Sequence, residues 1–336
     1  MKKTLLLIWV GLMMIQCAKK KDSDSQLDEF QSEESVTFQT IDYPEILGVT
    51  MQIMKKDSLI ILNDFHGDSL INLFNIKDNH VTKLIPVGNG PDELTRPLDI
   101  QMVNNKLYVY GRNSFSMNLL NLDLLSCESE KVNFLFHAPT NCSRFLNLSD
   151  SVFICSGFWK KRYALINNKG EVINEFGDYP DFEESEKKFD PHTKAMFHQS
   201  QFAKHPHKKL FASCARYVLE VFDYSETEIP RLVLRKKLGK YNYTHQEGDL
   251  LNIDLSGDSD PGVFEIACSS KYLFLVTVPD LEGKTDILVL DWEGNPIKKL
   301  KSDKTITCLT IDENNNKVYG VITDPEDTLV SFDINL

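Results

Sequence analysis

What most constrains this chain is a unit that recurs from end to end: two short apolar strands joined by a polar turn. Six copies read "LGVTMQIMKKDSLIILND", "PLDIQMVNNKLYVYGR", "SRFLNLSDSVFICSG", "QFAKHPHKKLFASCA", "VFEIACSSKYLFLVTV" and "TITCLTIDENNNKVYGVIT". Helical periodicity is nearly absent, and alternation of period two dominates. The first large apolar residues of the second strands are Leu59, Leu107, Val152, Leu210, Leu273 and Val318, spaced 48, 45, 58, 63 and 45 residues apart. That is close to the ~40 to 50 residues of a four-stranded propeller blade, with two units enlarged.

After each hairpin comes a third strand, a turn such as "NNKGE" or "DWEGN", and a fourth strand. Gly170 and Gly294 supply the left-handed backbone these turns need. The last unit, "DTLVSFDINL", stops at Leu336, one strand short. A closed ring leaves no such edge open, and "ESVTFQTI", Glu34 to Ile41, alternates like a strand ahead of the first blade. The expected fold is therefore all-β, a six-bladed β-propeller of four-stranded antiparallel blades, closed by pairing the N-terminal strand with the last blade. A sandwich or solenoid accounts less well for six near-equal units with an orphan strand at each end. An insertion at about 178–200 separates blades three and four, and its Glu/Lys-rich centre between Phe182 and Phe189 suggests a short surface helix. A second excursion, "KYNYTHQEGDLLNIDLSGDSD", reads as an ordered loop.

Residues 1–16, "MKKTLLLIWVGLMMIQ", carry two lysines and an apolar run too short to span a bilayer, the layout of an export signal. Cys17 follows directly and is similar to the acceptor cysteine of bacterial lipoproteins, although Met14 and Gln16 differ from the usual box. Residues 17–33 are rich in Lys, Asp, Ser and Glu and read as a flexible tether between lipid and a single domain at 34–336. Losing Lys2 and Lys3 with the signal takes the formal charge from -12 to -14. So acidic a body argues against nucleic acid as a partner. No cysteine lies in a CxxC pair, and most of the remaining six read as buried thiols, with Cys142 and Cys155 the one pair placed to be tested as a disulfide.

The stretch "VGNGPDELTRPLDI" invites a phosphate-loop reading, but a strand comes after it where a helix is required, and Glu93 holds the third glycine position. It lies between a fourth strand and the next first strand, and its shape returns at "SGDSDPGVFEIACSS". Both are read as corners, with Leu94 and Phe264 as plugs between neighbouring blades. The run "GNGPDELTRPLDI" followed by "NNKLYVYGRNSFSMNLLNLD" resembles the blade junctions of TolB-like six-bladed β-propeller lipoproteins of Bacteroidetes-type bacteria, with Asp92 and Leu94 in place of a glycine and a phenylalanine. The insertion "GDYPDF...HQSQFAKHPHKKLFAS" resembles the middle region of the same family. The resemblance implies the fold and an exported lipoprotein habit, and no general activity.

HExxH, GxSxG, Walker and CxxC motifs are all missing. His205 and His207 in "HPHKK" are placed in a hairpin turn at the solvent rim. The run "DLSGDSDPGVFE" sets Asp254, Ser256, Asp258, Asp260 and Glu265 at an EF-hand-like count, which names calcium as a cofactor candidate, but it lacks the central glycine and flanking helices. The basic fourth strand "PRLVLRKKLGK" is read as a charged outer edge. Loops on one common face bring candidate ligand-binding residues to the channel mouth: Asp64, His66, Arg96, Arg112, Trp159 with Lys160 and Lys161, Arg216 and Asp324, joined by Asp99 and His198 directed at the channel. The expectation is a binding or interaction module of the cell envelope, lipid-anchored at the outer membrane, that takes a glycan, a peptide or an envelope protein. The alternative is a metal-dependent lactonase-like hydrolase or lyase in the central channel. Cys17→Ala is expected to move the protein from the membrane fraction to the soluble fraction of cells, and retention of the variant on membranes would refute lipid anchoring.

Overall fold

A computed structural model of the chain describes residues 24–90, 92–122, 132–184, 186–226, 228–246, 250–253 and 259–336. The export signal, Cys17 and Cys127 lie outside these residues. The chain forms a six-bladed propeller of antiparallel four-stranded blades, each ordered from the axis outward as the chain runs. The innermost strands are Thr50–Lys56, Leu98–Val103, Cys142–Ser149, Gln201–Lys204, Val263–Cys268 and Thr305–Asp312.

Because each blade is apolar on both faces, the core lies between blades and forms one cluster per interface. Leu94 and Leu98 pack with Ile61 and Leu70 between blades one and two, and Phe145 and Phe153 with Tyr110 between blades two and three. Leu146 with Phe211, Leu219 with Leu273, Phe274 with Ile306, and Cys308 with Ile60 continue the ring back to blade one. Leu94 is buried and Phe264 packs against the cluster between blades five and six, so both junction residues act as the plugs expected of them. The turn glycines hold positive φ, +83° at Gly170 and +78° at Gly294.

The N-terminal segment closes the ring, but by a longer route than expected. Gln39–Thr40 forms the outer strand of blade six, pairing antiparallel with Ser331 and Val330. Ahead of it, Glu33–Ser35 runs parallel to the outer strand of blade five, and Asp24–Gln26 runs parallel to that of blade four. Part of the expected tether is thus a strap laid over three successive blade edges. Leu27 and Phe30 pack onto the cluster between blades four and five, and Val36 and Phe38 onto that between five and six.

Charge guides the strap: Asp28 faces Lys236 at 3.4 Å, Glu34 faces Lys298 at 2.8 Å, and Glu33 pairs with Lys301. The basic strand of blade four is therefore a covered edge, with Arg235 and Lys236 buried. An outer strand exposes unpaired backbone groups, and the strap satisfies them.

Two local expectations are corrected. In the insertion, the Glu/Lys-rich stretch yields only a 3-10 turn at Glu186–Lys188, and the α-helix is Pro191–Phe197. Asp190 caps it by accepting from the His192 and Thr193 amides, and proline fits the first turn. The excursion in blade four carries a two-stranded hairpin, Tyr243–Gln246 with Leu250–Ile253. Cys142, Cys155, Cys214, Cys268 and Cys308 are free thiols, the first two sharing one cluster.

A chain beginning at Val36, which lacks the first two strap strands, is expected to remain folded. One beginning at Asp42 also loses Val36, Phe38 and the closing strand, and should be destabilised by roughly 3 kcal/mol or more. Circular dichroism melting of the two truncations distinguishes these outcomes.

Candidate functional site

The innermost strands of neighbouring blades belong to separate sheets, so backbone groups facing sideways at the axis need partners that the ladders do not supply. Side chains provide them. Gln52 accepts from the Ile100 amide at 2.8 Å and donates to Asp99 at 2.8 Å. Asp99 accepts from the Phe145 amide at 3.0 Å, Gln101 accepts from the Asn147 amide at 2.7 Å, and Lys204 donates to the Asn147 and Leu148 carbonyls at 2.9 Å each.

Several of these strands carry a bulge near their start, where the register slips before Gln52, Arg144, Glu265 and Cys308. A bulge re-aims the residue beyond it. Around the axis this leaves a cavity of about 200 Å³, lined by all six blades, with Gln52, Asp99, Gln101, Glu265 and Thr310 among its polar contributors.

Glu265 is the electrostatic anomaly. It makes no ion pair among the described residues, and burial pushes its pKa up to about 8, the charge of Asp99 adding to the rise and Arg144 opposing it. The rise favours its protonated, hydrogen-bond-donating form at neutral pH. Arg144 pairs with Asp99 at 3.3 Å. Arg112 stands beside them half-buried, its pKa biased downward by burial and then by Arg144, with no side-chain hydrogen bond among the described residues. Arg112, Arg144, Asp99 and Glu265 are thus electrostatically linked, with Asp99 and Glu265 in the cavity wall.

Of the sequence-predicted residues, Arg112 and Asp99 meet here, but Asp99 is a tie between blades. The others are dispersed. Arg96 donates to the Gly67 carbonyl at 3.0 Å and lies over Phe65, which fastens blade two to blade one. Trp159 is buried in the cluster between blades two and three, and the exposed aromatic nearby is Phe158, stacked on His192.

His198 does not reach the channel: it ends the insertion helix and is buried against Tyr179. Burial pushes its pKa well down, and Arg162, Arg235 and Lys194 push it the same way. Arg216 sits over Tyr217 at the junction with blade five, its carbonyl accepting from the Val263 amide at 2.7 Å. Lys161 and Asp324 are taken up by Asp178 and Lys304. Asp64 and His66 line a separate pocket on blade one.

The rim placement of His205 is also corrected. The residue is buried, packs at a tilt against Trp292, and accepts from the His207 and Lys208 amides through Nδ1. Of the calcium-like set, Asp254, Ser256 and Asp258 lie outside the described residues. The other two diverge, Asp260 accepting from the Lys240 amide and Glu265 lining the channel. Sequence reasoning missed Arg144 and the channel role of Glu265. The available signal was a lone charge in each apolar inner strand, "SRFLNL" and "VFEIAC".

Fold and cavity together define a six-bladed propeller with its buried polar groups at the axis. A family profile described as TolB-like 6-blade propeller-like matches residues 28–314, and the chain belongs to that family. No curated protein sequence matches it. In fold it is similar to a protein of Bacteroides fragilis described as exported, at 12% identity and TM-score 0.55, covering 92% of this chain and 97% of that one. It is similar to the same degree to a member of the DUF4221 family from Bacteroides vulgatus, at 12% identity and TM-score 0.54, covering 91% and 98%.

The raised Glu265 sets the sign of a pH effect. Between the ordinary carboxyl value of 4.5 and about 8 the folded chain holds a proton that the unfolded chain has released, so stability falls as pH rises through that window and levels off above it. Glu265→Gln, neutral throughout, is expected to gain roughly 2 °C or more in Tm relative to wild type between pH 5 and pH 8.5. A difference that does not change with pH would contradict the raised pKa.

Proposed function

We propose that this protein is an exported, lipid-anchored binding module of the cell envelope. Its channel mouth holds the carboxylate-bearing part of a glycan or peptide, or of an envelope protein that presents one. The observation that carries this reading is Glu265, an acid of the axial cavity whose pKa is raised and which makes no ion pair among the described residues, together with Arg112, a half-buried guanidinium near Asp99 and Arg144 that makes no side-chain hydrogen bond among them. Perturbed, unpartnered groups in a concave site mark function more often than architecture. Protonated Glu265 donates, and Arg112 supplies charge and a two-pronged donor. Anchoring rests on the signal and Cys17, and export is also supported by the description of the Bacteroides fragilis relative in fold. No helix among the described residues is long and apolar enough to cross a membrane.

The metal-dependent hydrolase or lyase is less well supported. It needs several donors converging on one point, and among the described residues no three His, Cys, Asp or Glu side chains gather that way. Asp99, the other carboxylate of the cavity, is occupied by Gln52, Arg144 and the Phe145 amide.

The test is an array of acidic glycans and free-carboxylate peptides probed with the soluble chain from Asp24 onward. Arg112→Ala is expected to weaken the retained ligand about tenfold. Its Tm should move by less than about 2 °C, because the guanidinium holds nothing in the fold. Failure of any acidic ligand to bind, or an affinity indifferent to Arg112, would refute the proposal.

A further inference from the structure

Where the N-terminal strap passes onto blade one it leaves a pocket of about 400 Å³, well away from the axis. Its floor carries acceptors that the protein does not use. Asn72 is 5% exposed and its Oδ1 has no partner among the described residues. The Tyr43 hydroxyl is likewise buried and unpartnered. Asp64, 3% exposed, commits Oδ1 to the His66 and Gly67 amides at 2.9 Å each and leaves Oδ2 without a hydrogen bond among the described residues. A methyl on Gly48 or Gly67 would come within 2.3 or 2.7 Å of this carboxylate, so both positions are kept bare around it. Buried polar groups are almost always paired, so the Asn72 Oδ1 and the Tyr43 hydroxyl call for a partner, and Asp64 Oδ2 stands in the same pocket open to one.

The field in the pocket is negative. Glu45 and Asp68 stand on the walls, and the lining holds one lysine, Lys83, paired with Glu45 at 2.7 Å. Burial, then the charges of Glu45 and Asp64, push the Tyr43 pKa up to about 12, and Glu45, Asp68 and Asp64 all raise that of Lys83. Through Tyr43, Ile46 and His66 the pocket is continuous with a larger cleft of about 910 Å³, which carries Asp42, Glu326 and Asp327 and no lysine or arginine. Ile46, at the lip of both, is 94% exposed and offers an apolar surface to a carbon chain.

An ammonium group has three donors and no acceptor, which is the complement of this floor. We infer that the pocket is a binding site for a linear aliphatic diamine or polyamine. One ammonium is seated on Asn72 Oδ1, the Tyr43 hydroxyl oxygen and Asp64 Oδ2, the carbon chain crosses Ile46, and a further ammonium meets the acids of the cleft. Lys83 acts as an internal competitor that neutralises Glu45. This site is separate from the channel and does not depend on the ligand proposed there.

Calorimetric titration of the soluble chain from Asp24 onward tests it, with diaminobutane as probe against its diacetyl derivative, butanediol and a lysine blocked at both backbone ends. Diaminobutane is expected to bind saturably and more weakly as salt rises, the diacetyl compound and the diol not at all. Tyr43→Phe, which keeps the ring, should weaken binding about fivefold. Asn72→Leu should weaken it further, and Lys83→Gln should strengthen it about threefold by freeing Glu45. Arg112→Ala should leave it unchanged, which separates this result from any failure in the channel. Equal binding of the diol, weakening by Lys83→Gln, or tighter binding of the blocked lysine than of diaminobutane would each overturn the assignment.

Discussion

The ring depends on how its innermost strands face one another. Near the axis, backbone amides of adjacent blades point across a gap that no ladder bridges, and an unpaired buried amide costs about 1 to 3 kcal/mol. Gln52, Asp99, Gln101 and Lys204 close that gap by reaching from one blade to the main chain of the next. Of the four, sequence reasoning singles out only Asp99, as a residue directed at the channel. Their use as brackets frees only Glu265, Arg112 and part of Arg144 for chemistry at the axis.

The same accounting governs the outside. Blades four, five and six each expose an outer edge, and one acidic strap covers all three, backbone to backbone, with carboxylates opposite lysines. Exposed ion pairs contribute little individually, so Leu27, Phe30, Val36 and Phe38 hold the strap and the charges set its path. Where the strap leaves blade six for blade one it creates the acidic pocket at Tyr43. The two cavities therefore differ in character, the one beneath the strap lined by Glu45, Asp64 and Asp68 with one lysine, the axial one by Asp99 and Glu265 among strand residues of all six blades.

Much of the architecture was legible because a blade is a local object. Strand, turn and strand recur at intervals that the sequence prints directly, and the missing strand at the C-terminus required the N-terminal segment to supply it. The junction "VGNGPDELTRPLDI" could be read as a corner for the same reason: it leads into a strand, Leu98–Val103. The site was much less legible. Asp64, Arg96, Trp159, His198 and Arg216 are expected together at the channel mouth, but each turns into a different interface or pocket. Direction at a loop depends on packing between blades about fifty residues apart, which no local pattern records.

The sequence by itself determined the blade, the number of blades and the need to join the two ends, because alternation, turn glycines and repeat length are properties of neighbouring residues. Only the tertiary structure decided that Glu265 lines the axial cavity with a raised pKa, that Asp99 is a bracket, and that Asn72 and Tyr43 share a pocket with Asp64. A bulge of one residue re-aims a side chain, and the burial that shifts a pKa or strands an acceptor is set by blades distant in sequence.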